Sequence, residues 1–397
     1  MRIRNTARIG KAGAMAASLA VPGLLGGPVI AEPPPDLGTS AVFNEPGGTE
    51  VRDQLTRLID GAHGGSTIYL STYLFRDKVV AKHLLAAAKN DVTVKVLADS
   101  DTKRKHYGIF KDFAAALQKE GGGSWAKLCS EGCVGKGDSP ALHSKFALFS
   151  QTLRRSKVSF ITTANLTDNK TGGVGGTKGW NAGYTDVSSD GLYERLRGYF
   201  NDLKDEPNLP DYYNYNAPEP TGNTKTYFHP RKKGGDTVKN VLDGVNCKKG
   251  ATVRVSNWWI GRKAVAKKLW EMGRSGCSVD IVANQISMSS CEILAKYIAG
   301  SPLHIKGFSR GKREKGNHEK NIMIDGYYLG KNRKITFTGS DNITPSSLSE
   351  NDEITVRIAD SAIHDRFVEN FEDVKAAADI ELPAFSVPKE DCKPLAP

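Results

Sequence analysis

Two stretches of the chain carry the same alternation of apolar and polar positions. Ser66–Asp99, STIYLSTYLFRDKVVAKHLLAAAKNDVTVKVLAD, opens on a β-branched run, passes into apolar positions spaced near 3.6 residues, and closes on an alternating run. Ala251–Asn284, ATVRVSNWWIGRKAVAKKLWEMGRSGCSVDIVAN, does the same. Laid over one another at a constant offset, they share Thr67/Thr252, Ser71/Ser256, Lys78/Lys263, Val80/Val265, Ala81/Ala266, Lys82/Lys267, Leu84/Leu269, Val94/Val279 and Ala98/Ala283. Each copy is predicted to be a strand–helix–strand unit with parallel strands and a right-handed crossover. A repeat this long is a duplicated domain, since a solenoid repeats every ~20–50 residues.

Outside the repeat the pattern breaks. Residues 205–230, DEPNLPDYYNYNAPEPTGNTKTYFHP, read as a long connection without periodicity, with tyrosines that pack along both halves. Residues 121–140 read as irregular. Residues 169–179, NKTGGVGGTKG, are glycine-rich but lack the Lys-Ser/Thr ending of a phosphate-binding loop, so a plain flexible loop is expected. At the N-terminus Arg2, Arg4, Arg8 and Lys11 precede a small, apolar run to Ile30. Val29 and Ala31 fit the small-residue rule for cleavage after Ala31. Pro22, Pro28 and the glycines between them make a poor membrane-spanning helix. The expected division is a signal peptide over 1–31, a first lobe over 32–215 and a second over 216–397.

Composition then sets the compartment and the ligand charge. All six cysteines follow Ala31, and an even number in an exported chain favours three disulfides. Cys129 with Cys133 is the expected local pair and Cys247 with Cys277 the second. The net charge of +11 stays positive once the four basic residues of the leader are set aside, which suits an anionic substrate.

The polar residues that repeat carry the chemistry. In the first half ALHSKFALFS gives His143 and Lys145, and TTANLT gives Thr162, Thr163 and Asn165. In the second, NHEKNIMIDG gives His318, Lys320 and Asp325, and FTGSDN gives Gly339, Ser340 and Asn342. Among 8 His and 55 Lys and Arg, roughly one His-x-basic triplet arises by chance, and His304-Ile305-Lys306 is one without the later residues. The signal is the conjunction of triplet, apolar strand and hydroxyl-x-Asn in both halves.

With these residues the chain resembles the phospholipase D superfamily, whose signature is H-x-K-x4-D followed by G-S-x-N, and within it the secreted bacterial branch. The resemblance implies an α/β fold of two homologous αβαβα lobes with mixed, largely parallel sheets and a shared active site at the pseudo-twofold interface. It implies a phosphoric diester hydrolase acting through a phosphohistidine, with no cofactor required. His143 is then the nucleophile and His318 the acid, with Lys145, Lys320, Asn165 and Asn342 neutralising the phosphate. Glu353 matches the family's acidic residue behind a histidine. In the first half, alignment of Asn181 with Asn351 places Gly183 opposite Glu353, with Asp186 a stand-in. Two departures stand out: Ser150 occupies the first signature's Asp position, and Thr162-Thr163 replace Gly-Ser. Asp99, Trp258 and Trp259 are read as core packing rather than cleft lining. The implied substrate is a phospholipid at a membrane surface, met by a monomer, with the loop of Trp125 touching the interface and the Arg310–Lys315 run meeting anionic phosphates. The alternative is a secreted nuclease.

Overall fold

The computed structural model describes residues 37–397 apart from Glu131, 297–302 and 383–391. The expected signal peptide lies outside the described residues. Two sheets account for the strands. The first holds β1 (Ser40–Asn44), β2 (Thr67–Thr72), β3 (Thr93–Asp99), β4 (Trp125–Cys129), β5 (Phe146–Thr152), β6 (Arg155–Thr162) and β7 (Asn181–Asp186), in the order β1-β7-β6-β5-β2-β3-β4. The second holds β8 (Pro220–Thr221), β9 (Thr224–Phe228), β10 (Ala251–Ile260), β11 (Ser278–Ile286), β12 (Leu303–Gly307), β13 (Lys320–Tyr328), β14 (Lys331–Gly339), β15 (Ile354–Ile358) and β16 (Ile380–Glu381). Its order is β16-β12-β11-β10-β13-β14-β15-β9-β8. The helices are α1 (Glu50–Asp60), α2 (Lys78–Lys89), α3 (Tyr107–Glu120), α4 (Asp190–Asp205), α5 (Tyr212–Tyr215), α6 (Thr237–Asp243), α7 (Lys263–Arg274), α8 (Met288–Ala295), α9 (Pro345–Ser349) and α10 (Ser361–Ala377).

The repeated strand–helix–strand units are β2-α2-β3 and β10-α7-β11. In each, the strands pair in parallel with the same register, Thr67 opposite Thr93 and Thr252 opposite Ser278. The two helices start differently. Asp77 caps α2, its carboxylate accepting from the Val79 and Val80 amides, which stabilises a helix end by about 1 kcal/mol. The corresponding Arg262 makes no cap and instead pairs, buried, with Asp236 and Asp341.

Antiparallel pairs nevertheless dominate, so the expectation of largely parallel sheets is corrected. Only β2-β3-β4 and β10-β11-β12 run parallel. The signature strands β5 and β13 enter antiparallel to β2 and β10, and tight turns at Leu153-Arg154 and Leu329-Gly330 return β6 and β14. A short reversal leaves no room for the crossover that parallel strands need. The layer expectation is also corrected, because the five αβαβα layers count the whole molecule, not one lobe. Helices α1 to α3 cover the outer face of the first sheet, and α6 to α8 that of the second. Between the sheets lie α4 and α10, whose Tyr199, Phe200, Phe367 and Phe371 share one core with Phe146, Tyr184, Phe228 and Val356.

The stretch read as an unpatterned connection holds α5 and the paired strands β8 and β9. Thr224–Phe228 alternates TKTYF and pairs with β15, and Tyr212 is buried against Tyr199 and Phe228. Likewise Trp125–Cys129, in the stretch read as irregular, pairs with β3. No helix among the described residues is long and apolar enough to cross a membrane.

Disulfides join Cys129–Cys133, Cys247–Cys277 and Cys291–Cys392, with sequence separations of 4, 30 and 101. The first two are the expected pairs. Peptide mapping without reductant should recover these three links and no free thiol. Because the stabilisation grows with the loop closed, Cys291→Ala with Cys392→Ala should cost ~2–5 kcal/mol in denaturant unfolding, and the Cys129/Cys133 double variant less.

Candidate active site

The two lobes meet by exchanging strand ends. Leu142 bridges to Asp352 and Trp180 to Asn317, both in parallel. The His143 amide donates to the Asp352 carbonyl at 3.0 Å and the Asp352 amide to Ala141 at 2.9 Å. Symmetrically, the His318 amide donates to Trp180 at 3.0 Å and the Trp180 amide to Gly316 at 3.0 Å. The Asp352 carboxylate fastens the contact further by accepting from the Cys133, Val134 and Gly135 amides. Each histidine therefore sits where its own lobe's signature begins and the other lobe's last core strand starts.

This exchange pairs every ring with the opposite lobe. His143 Nδ1 lies 2.8 and 2.9 Å from the two oxygens of Glu353. His318 Nδ1 lies 3.0 Å from Asn181 Oδ1. The bridges make Trp180 the counterpart of Asp352, so Asn181, not Gly183, corresponds to Glu353. Asp186 does not stand in. It lies at the far end of β7, where it accepts from Tyr184 and from the Ser188 and Ser189 amides.

All seven residues singled out from the sequence are brought together and buried. Lys145 and Lys320 are 1% and 4% exposed, and each ammonium donates to the carbonyl of its own lobe's histidine. Lys320 Nζ also lies 3.0 Å from His318 Nδ1. Burial lowers the Lys145 ammonium to about 7 against the pull of Glu353 and Asp99, and holds Lys320 well below the ordinary lysine range. Burial lowers the His143 ring to about 4 although Glu353 opposes it. Burial and the two lysines hold His318 well below the ordinary imidazole range. Burial alone would raise the Glu353 carboxyl, but His143 and Lys145 carry it down to about 2. At neutral pH the carboxylate is ionised and both rings are neutral.

Asn165 and Asn342 are buried with amide oxygens that meet no partner. An unmatched buried acceptor costs on the order of 1–3 kcal/mol and is satisfied only by a donor, so an anion would meet these residues through their Nδ2 groups instead. Ser150 keeps a structural hydrogen bond, accepting from the Thr67 amide at 2.8 Å, at the end of β5 away from the histidines.

Sequence reasoning missed three features. Tyr73 and Trp258, aligned across the repeat, flank His143 and His318 at ring-centre distances of 5.0 and 5.8 Å. With Trp259, Asp99 and Asn342 they line a cleft of about 470 Å3 that opens onto His143. The reading of Trp258 and Trp259 as core is thus corrected: both are only partly buried and line the cleft, on the stretch of β10 that stays paired with β11 after its register with β13 ends at Asn257. Asp99 is buried but lines the cleft too, accepting from the Leu142 amide. The second feature is the glycine-rich loop, which is packed rather than free. A side-chain carbon on Gly175 would stand 2.5 Å from Asn165 Nδ2 and 3.1 Å from His318 Nε2, so this loop roofs the second histidine. The third is Asn181, hidden because the same loop lengthens its connection. Trp125, expected at an interface, lies in β4 with its ring against Phe200.

Comparison with known proteins agrees with this frame. The family described as cardiolipin synthase, PLD-like domain, matches residues 55–177 and 246–375. No curated protein sequence is similar enough to match. Among solved structures, phosphatidylserine synthase of Haemophilus influenzae is 13% identical, with 86% of this chain and 87% of that one covered at a TM-score of 0.61. Polyphosphate kinase of Porphyromonas gingivalis is 13% identical, with 84% of this chain covered at a TM-score of 0.58. The chain spans half the length of that kinase. These likenesses carry the fold, and the family match covers both signatures. The chain therefore belongs to the phospholipase D superfamily, through a PLD-like domain present twice.

Proposed function

We propose that the chain is a secreted phosphodiesterase that hydrolyses the headgroup ester of phospholipids, with transfer to other alcohols as a side reaction. The observation that carries it is the convergence of two buried lysines and two buried histidines from both lobes, beside the buried Asn165 and Asn342, whose Nδ2 groups can donate. An anionic phosphate there is held by four donors and relieves the burial cost of both ammonium groups. Glu353 takes the Nδ1 proton of His143 as a hydrogen bond, which leaves the Nε2 lone pair free and stabilises the ring as it becomes positive. His143 Nε2 attacks phosphorus, the bond to the headgroup oxygen breaks, and that oxygen takes the proton of His318. The incoming phosphate supplies the negative charge that lets His318 carry this proton. With a neutral amide behind it, His318 releases the proton readily. Water then gives a proton to His318, its oxygen replaces the histidine nitrogen, and phosphatidate leaves.

The cleft mouth favours lipid over nucleic acid. Tyr73, Trp258 and Trp259 offer aromatic faces, and Asp99 and Asp138 add negative charge, Asp101 being paired with Arg104. This suits a headgroup carrying an amine and repels a continuing polyanion. The Arg310–Lys315 run is largely engaged, Lys312 with Asp379 and Arg313 with the Pro394 carbonyl. Three disulfides fit an oxidising, extracellular destination.

A panel of phosphatidylcholine, phosphatidylethanolamine, cardiolipin and single-stranded DNA tests the substrate; DNA cleavage with no phosphatidate release would hand the case to a nuclease. On phospholipid, His143→Ala and His318→Ala should each lower turnover at least ~10³-fold. On bis(p-nitrophenyl) phosphate, whose leaving group needs no acid, His318→Ala should keep a p-nitrophenol burst and His143→Ala should lose it. The opposite pattern would exchange the two roles.

With limiting bis(p-nitrophenyl) phosphate, the wild-type burst rate should rise through pH about 4, as His143 loses its proton, and fall through a pH no higher than about 7, as Lys145 loses its charge. Stopped-flow absorbance across that range checks both limbs.

The roof over His318 gives a separate expectation. Gly175→Ala should lower turnover ~10–10²-fold by displacing the Asn165 amide and the His318 ring. Gly173→Ala, where an added carbon meets nothing within 4 Å, should not. Melting temperatures of both variants near wild type would confirm that the loss is local.

A further inference from the structure

A second concavity, outside the cleft, lies between α2 and α3. It encloses about 1110 Å3. Its floor is apolar, built from Ala81, Leu85, Ile109, Phe113 and Ala116, and its rim carries Lys78, Lys82, Lys89 and Lys170. Helical spacing explains this: Ala81 and Leu85 stand one turn apart on α2, and Ile109, Phe113 and Ala116 follow the same stripe on α3. Two of the four large apolar residues most exposed among the described residues border it. Val79, 40% exposed, adjoins Lys78, and Tyr107, 37% exposed, stands between the lining residues His106 and Gly108.

The charge around the groove is positive on balance, four lysines on its lining against the two carboxylates Asp112 and Asp168. Lys78, Lys82, Lys89, Lys103 and Lys105 are exposed and form no ion pair among the described residues. Of the carboxylates on the lining, Asp168 accepts from the Lys170 and Thr171 amides and the Thr171 hydroxyl, which holds it in place within its own loop, and Asp112 is exposed. The groove is also continuous with the site. The segment from Ser100 to Gly108 has Ser100, Asp101 and Arg104 on the cleft and His106 and Gly108 on the groove. Thr171, on the groove, belongs to the loop whose Gly175 roofs His318.

We propose that this face docks on an anionic phospholipid bilayer, with the lysines on headgroup phosphates and Val79, Tyr107 and the groove floor on the apolar layer beneath. Exposed apolar side chains and an apolar floor inside a cationic rim are what a bilayer surface rewards. A nucleic acid would use the lysines and leave the exposed Val79 and Tyr107 without a role. The docking deepens the phospholipid reading and rests on it, since it sets the cleft mouth at the membrane that supplies the substrate.

The test is co-sedimentation of the full chain with phosphatidylcholine vesicles, with and without phosphatidylglycerol. Binding should require phosphatidylglycerol and weaken with salt. Combined Lys82→Glu, Lys89→Glu and Lys105→Glu should weaken it at least ~10²-fold, at about 1 kcal/mol or more per lysine near the surface. Val79→Asp alone should weaken it several-fold. Both variants should hydrolyse bis(p-nitrophenyl) phosphate at the wild-type rate, which shows that they fold. Undiminished vesicle binding by the triple variant would overturn the docking. So would a triple variant that loses single-stranded DNA binding while Val79→Asp leaves vesicle binding unchanged. Phosphatidate release is scored separately in detergent-mixed micelles: its absence beside intact vesicle docking removes the catalytic reading and leaves the docking face standing.

Discussion

The exchange of strand ends between the lobes is the constraint on which the rest of the site depends. A backbone amide of each lobe is satisfied only by a carbonyl of the other, at His143 with Asp352 and at His318 with Trp180. Buried amides must find partners, so the two signatures cannot drift apart without exposing both sets. The side chains follow the backbone. Once Asp352 is fixed, Glu353 meets His143, and once Trp180 is fixed, Asn181 meets His318. The carboxylate of Asp352, held by three successive amides that begin at the disulfide-bonded Cys133, makes that placement stiff.

Burial then sets the electrostatics. Two lysines and two histidines occupy a dry space with one ionised carboxylate directly on a ring. Positive charge is disfavoured throughout, and both ammonium groups and both imidazoles are pushed below their ordinary ranges. Such a site stores a deficit of negative charge, which is the complement of a phosphate. The glycine loop that approaches Asn165 and His318 shapes the place where it would sit.

Much of this was legible in the chain. The repeat showed both strand–helix–strand units, because apolar period and β-branched runs are local properties. The histidines, lysines and asparagines stood out because they recur in order. What the spacing did not show was anything set by register between distant strands. Asn181 was misaligned since the glycine loop is longer than its second-lobe counterpart. Trp258 resembles any aromatic residue of a strand until the cleft is seen to open beside it. The antiparallel majority arises at tight turns beyond the repeat, and β9 was masked by the prolines and asparagines before it.

The unequal partners of the two rings have a meaning for the history of the molecule. Two identical subunits around a twofold axis would place the same residue behind both histidines, because one gene writes both copies. Any change that sharpened one ring as donor would equally alter the other as acceptor. Joining the copies in one chain removes that bond between the positions. Glu353 and Asn181 use that freedom: the two rings differ before any ligand arrives, whereas a symmetric pair would differ only once a bound molecule broke its symmetry.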